Sequence, residues 1–368
     1  MMLNGSPNYS RRDAIRLGVT AIGFAAFARA IPAIADDVIS KAKIVPEGGT
    51  VSGAKLKKTG PYRIGFSNGF SGNTWRTQCL YSLKKEADRQ KEVADLIVVD
   101  GQGDITKQVS DIENLVSQNV DAILCIPNSG PAVVPALREA TKQGIVTVPF
   151  NLPVDGDAWT TYDGTDPRNK GSQLGKWLRA AVGESAKIVA LGGLPGNSYT
   201  AAAWAGAQSA MEGSQIQVLA FRDAYWEEDR AKVVMADLIA AYPQIDGVWC
   251  DGSQVAAGAM KALLDGKRSL VPVTGDDYNG LLRLFDREAA NQPKFKIGLL
   301  SEPTWESVIA LRAALALLRG EDVPKRQIVE PQLITSENYK NYLRPNLPDG
   351  VFVDTDLSDD ELKTLFKS

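Results

Sequence analysis

The chain has 368 residues, a formal net charge of −3 with histidine counted neutral, 44% hydrophobic residues and 23% charged residues. That balance is ordinary for a soluble globular protein and gives no electrostatic reason for a nucleic acid or an anionic membrane as partner. There is no histidine, which removes Ser-His-Asp and Cys-His catalysis, histidine-ligated zinc and histidine-ligated haem together.

Residues 1–35 read as an export signal. Ser10-Arg11-Arg12-Asp13 places two arginines before an uncharged, mostly apolar run at 17–28, and small-residue cleavage sites end at Ala30 and Ala35. The arginine pair points to the twin-arginine route, with the general secretory route the alternative because Ala14-Ile15 replaces the usual bulky apolar pair. The run is too short and too rich in Ala, Gly and Thr to span a bilayer. The expected location is the periplasm. Residues 36–60 carry Pro46, Gly48, Gly49 and a cluster of Lys55, Lys57 and Lys58, the composition of a linker.

From residue 62 short apolar runs alternate with amphipathic stretches. The runs fall at 62–67, 96–100, 122–126, 146–150, 187–191, 217–221, 247–250, 271–274 and 296–300. They are rich in Val, Ile, Leu and Phe without strict alternation, as strands of a parallel sheet buried on both faces require. Between them lie helical stripes such as Ile105, Val109, Ile112 and Val116. The cycles form either one (β/α)₈ barrel or two open sheets. The cycle breaks at 151–167 and again at 296–303, which suits a polypeptide that crosses between two doubly wound α/β lobes. Cys79, Cys125 and Cys250 are odd in number and far apart, so a disulfide framework is not expected.

Tyr62-Arg63-Ile64-Gly65-Phe66-Ser67 with Asn73-Thr74-Trp75-Arg76, then Ile145 to Asn151, Thr165-Asp166 with Gly171 and Gly175, and Gly275-Asp276-Asp277 follow one another at spacings that resemble the ribose-binding family of periplasmic sugar-binding proteins. The resemblance covers about three quarters of the sequence. It implies a type I periplasmic binding fold: two Rossmann-like lobes joined by three crossovers, with the ligand between them. Here one lobe is 61–164 plus 302–330 and the other is 165–301 with the tail 331–368. It also implies a substrate-binding protein of an ABC importer, with a membrane permease as partner, no cofactor, no nucleic acid and a monomeric state.

Doubly wound sheets bind ligands at the carboxyl ends of their strands. A sugar there needs aromatic faces for its C–H groups and planar polar side chains for its hydroxyls. Residues of that kind at strand ends are Asn73, Trp75, Arg76, Asn151, Trp226, Asp251, Asp277 and Glu302, with Ser301 adjacent. Five of these have a plainer reading: Asn73 and Asp277 as helix caps, Arg76 as a surface arginine, Trp75 and Trp226 as core or rim. By the resemblance, Trp75 and Trp226 stack on the ligand from opposite lobes and Asp277 is a contact residue. The pattern departs at Asn151 and Leu152, which replace Asp and Arg, at Ala203, where a sugar-binding Arg is expected, at Gly252 for Asn, and at Ser301 for Gln. A ribose site is therefore not expected; a larger sugar, a polyol or an amino-modified ligand is.

Other motifs fail. Gly192-Gly193-Leu194-Pro195-Gly196 lacks the Gly-Lys-Ser/Thr of a phosphate loop, and Asp100 to Asp104 lacks the glycine a calcium loop needs, with Ile105 in its place. The rival class is an exported enzyme acting on a small carbohydrate. The sensor domain of a transcription regulator shares the fold, but here an export signal stands in place of a DNA-binding headpiece.

Overall fold

The computed structural model describes residues 37–367, so the expected export signal lies outside the described residues. The protein separates into two compact units, 1–41 and 42–368; of the first, only the short helix α1 (Asp37–Lys41) is described.

The second unit holds two main sheets of the same winding and a smaller three-stranded one. In the first lobe β2 (Tyr62–Asn68), α2 (Thr74–Arg89), β3 (Val93–Asp100), α3 (Ile105–Ser117), β4 (Ala122–Ile126), α4 (Gly130–Lys142) and β5 (Val146–Pro149) alternate, and the strands lie parallel in the order β3-β2-β4-β5. β4 is buried along its whole length, which explains its unbroken apolar run. A bridge from Phe150 to Asp163 continues this sheet into β6 (Tyr162–Gly164), which pairs in parallel with β12 (Val323–Val329). Sequence caps set the helix starts: Asn73 Oδ1 accepts from the Arg76 N–H at 2.9 Å, and Asp104 Oδ1 accepts from Lys107 N–H at 2.9 Å.

The second lobe runs β7 (Lys187–Gly192), α6 (Ser198–Met211), β8 (Gln217–Asp223), α7 (Glu228–Ala241), β9 (Gly247–Cys250), α8 (Ser253–Asp265), β10 (Val273–Gly275), α9 (Asn279–Glu288) and β11 (Ile297–Leu300). Its sheet order is β13-β11-β10-β9-β7-β8, with β13 (Leu333–Thr335) antiparallel at the edge. The backbone crosses between lobes after β6 into α5 (Pro167–Val182), from β11 into α10 (Glu306–Arg319), and from β12 to β13. Two open sheets exclude the barrel. In both lobes the order reverses beside the first strand, which puts a crevice at the carboxyl ends of β2 and β7.

Two stretches differ from expectation. Residues 44–51, inside the expected linker, form β1 (Ile44–Val51), antiparallel to β12. Most of this edge strand is exposed and it carries Pro46, Gly48 and Gly49, so its composition resembles that of a loop. The tail, expected on the second lobe, touches both lobes. The Asn279 N–H donates to the Val351 carbonyl at 2.7 Å, while Lys85 of α2 pairs with Glu361 of α11 (Asp359–Leu365) at 3.0 Å. All three cysteines are free and buried, and burial pushes the Cys79 and Cys125 thiols up to about 12, leaving them inert.

Candidate functional site

A cavity opens between the lobes where the strand ends of both sheets converge. Of the residues singled out in the sequence, Asn73, Trp75, Arg76 and Asn151 line it from the first lobe, Trp226 and Asp251 from the second, and Glu302 from the crossover.

On the first-lobe side, Asn73 is both cap and cavity residue. Arg76 is not a surface arginine: it is 5% exposed, and its Nη1 donates to Asn68 Oδ1 at 2.6 Å. Burial pulls its pKa down to about 10, which still leaves a cation at neutral pH. The Trp75 indole N–H donates to the Glu302 carbonyl at 2.9 Å, so its ring is fixed against the crossover.

On the second-lobe side, Trp226 is held edge-on to Tyr199, with ring centres 6.2 Å apart and planes at 75°. Its indole N–H donates to Asp251 Oδ1 at 3.0 Å, and Thr200 Oγ1 donates to Asp251 Oδ2 at 2.6 Å. Asp251 thus holds Trp226 with one oxygen and is itself fixed by Thr200 through the other. Tyr225 and Trp226 have φ of 61° and 53°, and Asn151 has 62°. Two successive bulky residues in the left-handed region are strained, a feature that clusters at functional sites. The glycines here serve the same ring. A Cβ on Gly193 would lie 2.1 Å from Trp226 Cε2, and one on Gly252 3.0 Å from Trp226 Cδ1. That explains Gly252 where the family pattern has Asn.

Glu302 joins the lobes. Its Oε1 accepts from Asn151 Nδ2 at 2.6 Å, and its Oε2 accepts from Tyr199 Oη at 3.1 Å and from Lys170 Nζ of α5. Asn151 Nδ2 also donates to Glu306 Oε2 at 2.9 Å. Four carboxyls near Glu302, those of Asp163, Asp251, Asp276 and Glu306, are buried and driven towards their neutral forms. Burial raises Asp251 to about 6 and Asp276 to about 7, in each case against the pull of Lys170. Asp163 rises to about 8 by burial, with Gln327 as its one opposing hydrogen bond. Burial and the nearby Glu302 raise Glu306 as well.

Two expected contact residues are not on the cavity. Asp277 is fully buried, and its oxygens accept from the Glu302 N–H at 2.8 Å and the Asp354 N–H at 2.6 Å. It neither caps α9 nor lines the cavity; it staples the crossover to the tail. Ser301 Oγ likewise turns away, accepting from the Gln332 N–H at 3.0 Å. The carboxylate that faces the cavity is the preceding residue, Asp276. Its Oδ1 accepts from Ser253 N–H at 2.8 Å, and no partner for Oδ2 is found among the described residues. The sequence reading also missed Lys170, Tyr199, Gln254 and Phe352. A single Asp-Asp pair cannot show which member points inward, and Phe352 lies in the tail, far from any strand end in sequence. At the mouth the lobes touch: Asn197 Nδ2 donates to the Asn128 carbonyl at 3.0 Å, and the Gly130 N–H donates to Ser198 Oγ at 3.3 Å.

With two like-wound lobes and a cavity at their strand ends, the protein has the architecture of a type I periplasmic binding protein. It belongs to the periplasmic binding protein domain family, whose model matches residues 64–322. It is a solute-binding protein by family, not an enzyme. Among relatives, the ribose import binding protein of Bacillus subtilis is 28% identical over 263 residues, 71% of this chain and 84% of that one. The xylitol-binding protein of Mycolicibacterium smegmatis is 28% identical over 248 residues, 66% of this chain and 69% of that one. Among solved structures, an ABC transporter solute-binding protein from Mycobacterium smegmatis with bound glycerol superposes with a TM-score of 0.69 at 26% identity, covering 77% of this chain and 98% of that one.

Proposed function

We propose that this protein captures a sugar or polyol other than ribose in the cavity between its lobes and delivers it to the membrane permease of an ABC importer. The observation that carries the reading is the cavity itself: Trp75 and Trp226 from opposite lobes, with Arg76 and Asp276 holding polar atoms free beside them. Aromatic faces cover the C–H groups of a cyclic or acyclic ligand, and a charged donor and acceptor satisfy hydroxyls once water is excluded. The ribose- and xylitol-binding relatives and the glycerol-bound structure support the class. The departures at Asn151, Leu152, Ala203 and Gly252 argue against ribose. Ligand contact is assigned to Asn73, Trp75, Arg76, Asn151, Trp226, Asp276 and Glu302, with Asp251 acting through Trp226.

A thermal-shift screen of monosaccharides, polyols and sugar acids tests this, because a ligand that binds the folded state raises the melting point by mass action. The expected hit is a neutral polyhydroxy compound. No shift with any neutral sugar or polyol would end the reading. Release requires the mouth contacts at Asn128–Asn197 and Gly130–Ser198 to part by hinge motion about the crossovers. Scattering should therefore give a smaller radius of gyration with ligand than without.

The place of work is the periplasm in this reading, and the protein acts as a monomer. The Arg11-Arg12 pair supports the twin-arginine route. Arg11→Lys with Arg12→Lys should then stop periplasmic accumulation; undiminished accumulation would leave the general secretory route.

A further inference from the structure

The ligand cavity has a wall that the family domain does not supply. Phe352 lines the cavity, yet it lies 30 residues past the end of the family match at residue 322. It is 2% exposed, and its ring packs on Tyr278 with centres 5.6 Å apart. Its backbone is gripped from the other lobe: Gln78 Oε1 accepts the Phe352 N–H at 2.7 Å, and Gln78 Nε2 donates to the Phe352 carbonyl at 3.0 Å. A side-chain amide that satisfies both backbone groups of one residue fixes it as a strand neighbour would.

The flanking residues are fastened as firmly. The Val353 N–H donates to the Asp277 carbonyl at 3.2 Å and the Asp354 N–H to Asp277 Oδ2. The Trp305 indole N–H donates to Asp354 Oδ1 at 2.8 Å. The segment is thus held by α2 and the start of α10 on one side and by the β10–α9 turn on the other.

We propose that Phe352 is a specificity-determining residue: the tail inserts it as an apolar wall that limits the size of the ligand the cavity accepts. This rests on the sugar or polyol reading above. An aromatic ring gives a hydroxyl no strong hydrogen bond, so ligand atoms on this side meet a shape limit and van der Waals contact. Removing the ring leaves a space that a longer or larger ligand can fill, while a ligand fitted to the native wall loses its contacts.

The test uses the full mature protein with Phe352→Ala and the milder Phe352→Leu, checked for folding by circular dichroism. Glycerol, xylitol, D-ribose, D-allose and myo-inositol are titrated by calorimetry. In parallel, acrylamide quenching of tryptophan fluorescence is measured without ligand, in the parent and in a Trp75→Phe background.

The expected result is at least a tenfold change in the ratio of affinities for the larger over the smaller ligands in Phe352→Ala, smaller in Phe352→Leu. Quenching should rise in the ligand-free variant, and the rise should vanish in the Trp75→Phe background. If Phe352→Ala is disrupted, Phe352→Leu carries the same comparison. An unchanged ranking within twofold, or unchanged quenching, in a folded variant overturns the proposal. If the parent binds none of the five compounds, the sugar or polyol reading falls, and the quenching arm still decides whether Phe352 walls the cavity.

Discussion

Lys170 and Glu302 form a buried ion pair between the second lobe and the crossover, and Lys170 is 2% exposed. Burial pulls the Lys170 pKa down, but Glu302, Asp276 and Asp277 more than offset this and hold it above its usual value. One cation therefore faces Glu302 together with Asp276 and Asp277, two carboxyls that burial drives towards neutrality. Removing one partner of a buried pair strands the other, at a cost of about 3–5 kcal/mol.

Lys170→Met is accordingly expected to destabilise the ligand-free protein by about 3 kcal/mol or more, read as a lower denaturation midpoint in urea. Adding Glu302→Gln should recover part of the loss. A single variant as stable as the parent would show that water or protonation already neutralises the pair.

Trp75→Ala and Trp226→Ala remove the two aromatic platforms. Each should cost about 2 kcal/mol of binding, or at least tenfold in affinity for whichever compound the parent binds. Calorimetry on folded variants measures it. If both bind within twofold of the parent, the ligand sits elsewhere in the cleft.

Gly193→Ala tests the support of Trp226 without touching ligand. The added Cβ would fall 2.1 Å from Trp226 Cε2, so the ring must move. Affinity should fall about as far as in Trp226→Ala, since the same platform is lost. Affinity equal to the parent's would show that the ring can shift freely.

Asp277→Ala leaves the amides of Glu302 and Asp354 without acceptors. Each buried, unpaired N–H costs about 1–3 kcal/mol. The variant should lose stability without ligand, as seen in its melting point. A loss of affinity at unchanged stability would return Asp277 to the ligand site.

Asp163 has a stability effect with a definite sign. Its folded pKa of about 8 lies above the ordinary 3.8 because of burial, so the folded state binds the proton more tightly. Its contribution is complete below about pH 4 and is lost as pH rises through about 8, with a slope of at most about 1.4 kcal/mol per pH unit. Asp163 Oδ2 has no hydrogen-bond partner among the described residues, so Asp163→Asn sacrifices no bond there. The stability of Asp163→Asn relative to the parent should grow from pH 5 to about pH 8 in urea titrations and level off above that. A constant difference would show that Asp163 stays ionised.

Much of the fold could be read from local pattern. The unbroken apolar runs such as 122–126 mark strands covered on both faces, and Asn73 and Asp104 mark helix starts, because burial and capping act within a few residues. The interruptions at 151–167 and 296–303 located two of the crossovers. β1 escaped because an exposed edge strand is under little apolar constraint, and Pro46, Gly48 and Gly49 gave it the look of a loop.

By itself the sequence determined the two-lobed α/β class, the absence of histidine chemistry, and the candidate pool at the strand ends. Seven of its nine nominated residues line one cavity, because the carboxyl ends of parallel strands must converge where the winding reverses. Which carboxylate of Asp276-Asp277 faces that cavity, that Tyr199 and Phe352 join it, and that Lys170 stands behind Glu302, was decided only by the tertiary structure. Those assignments depend on packing between segments far apart in sequence. Phe352 is held by Gln78, 274 residues away, and no local spacing records a contact of that kind.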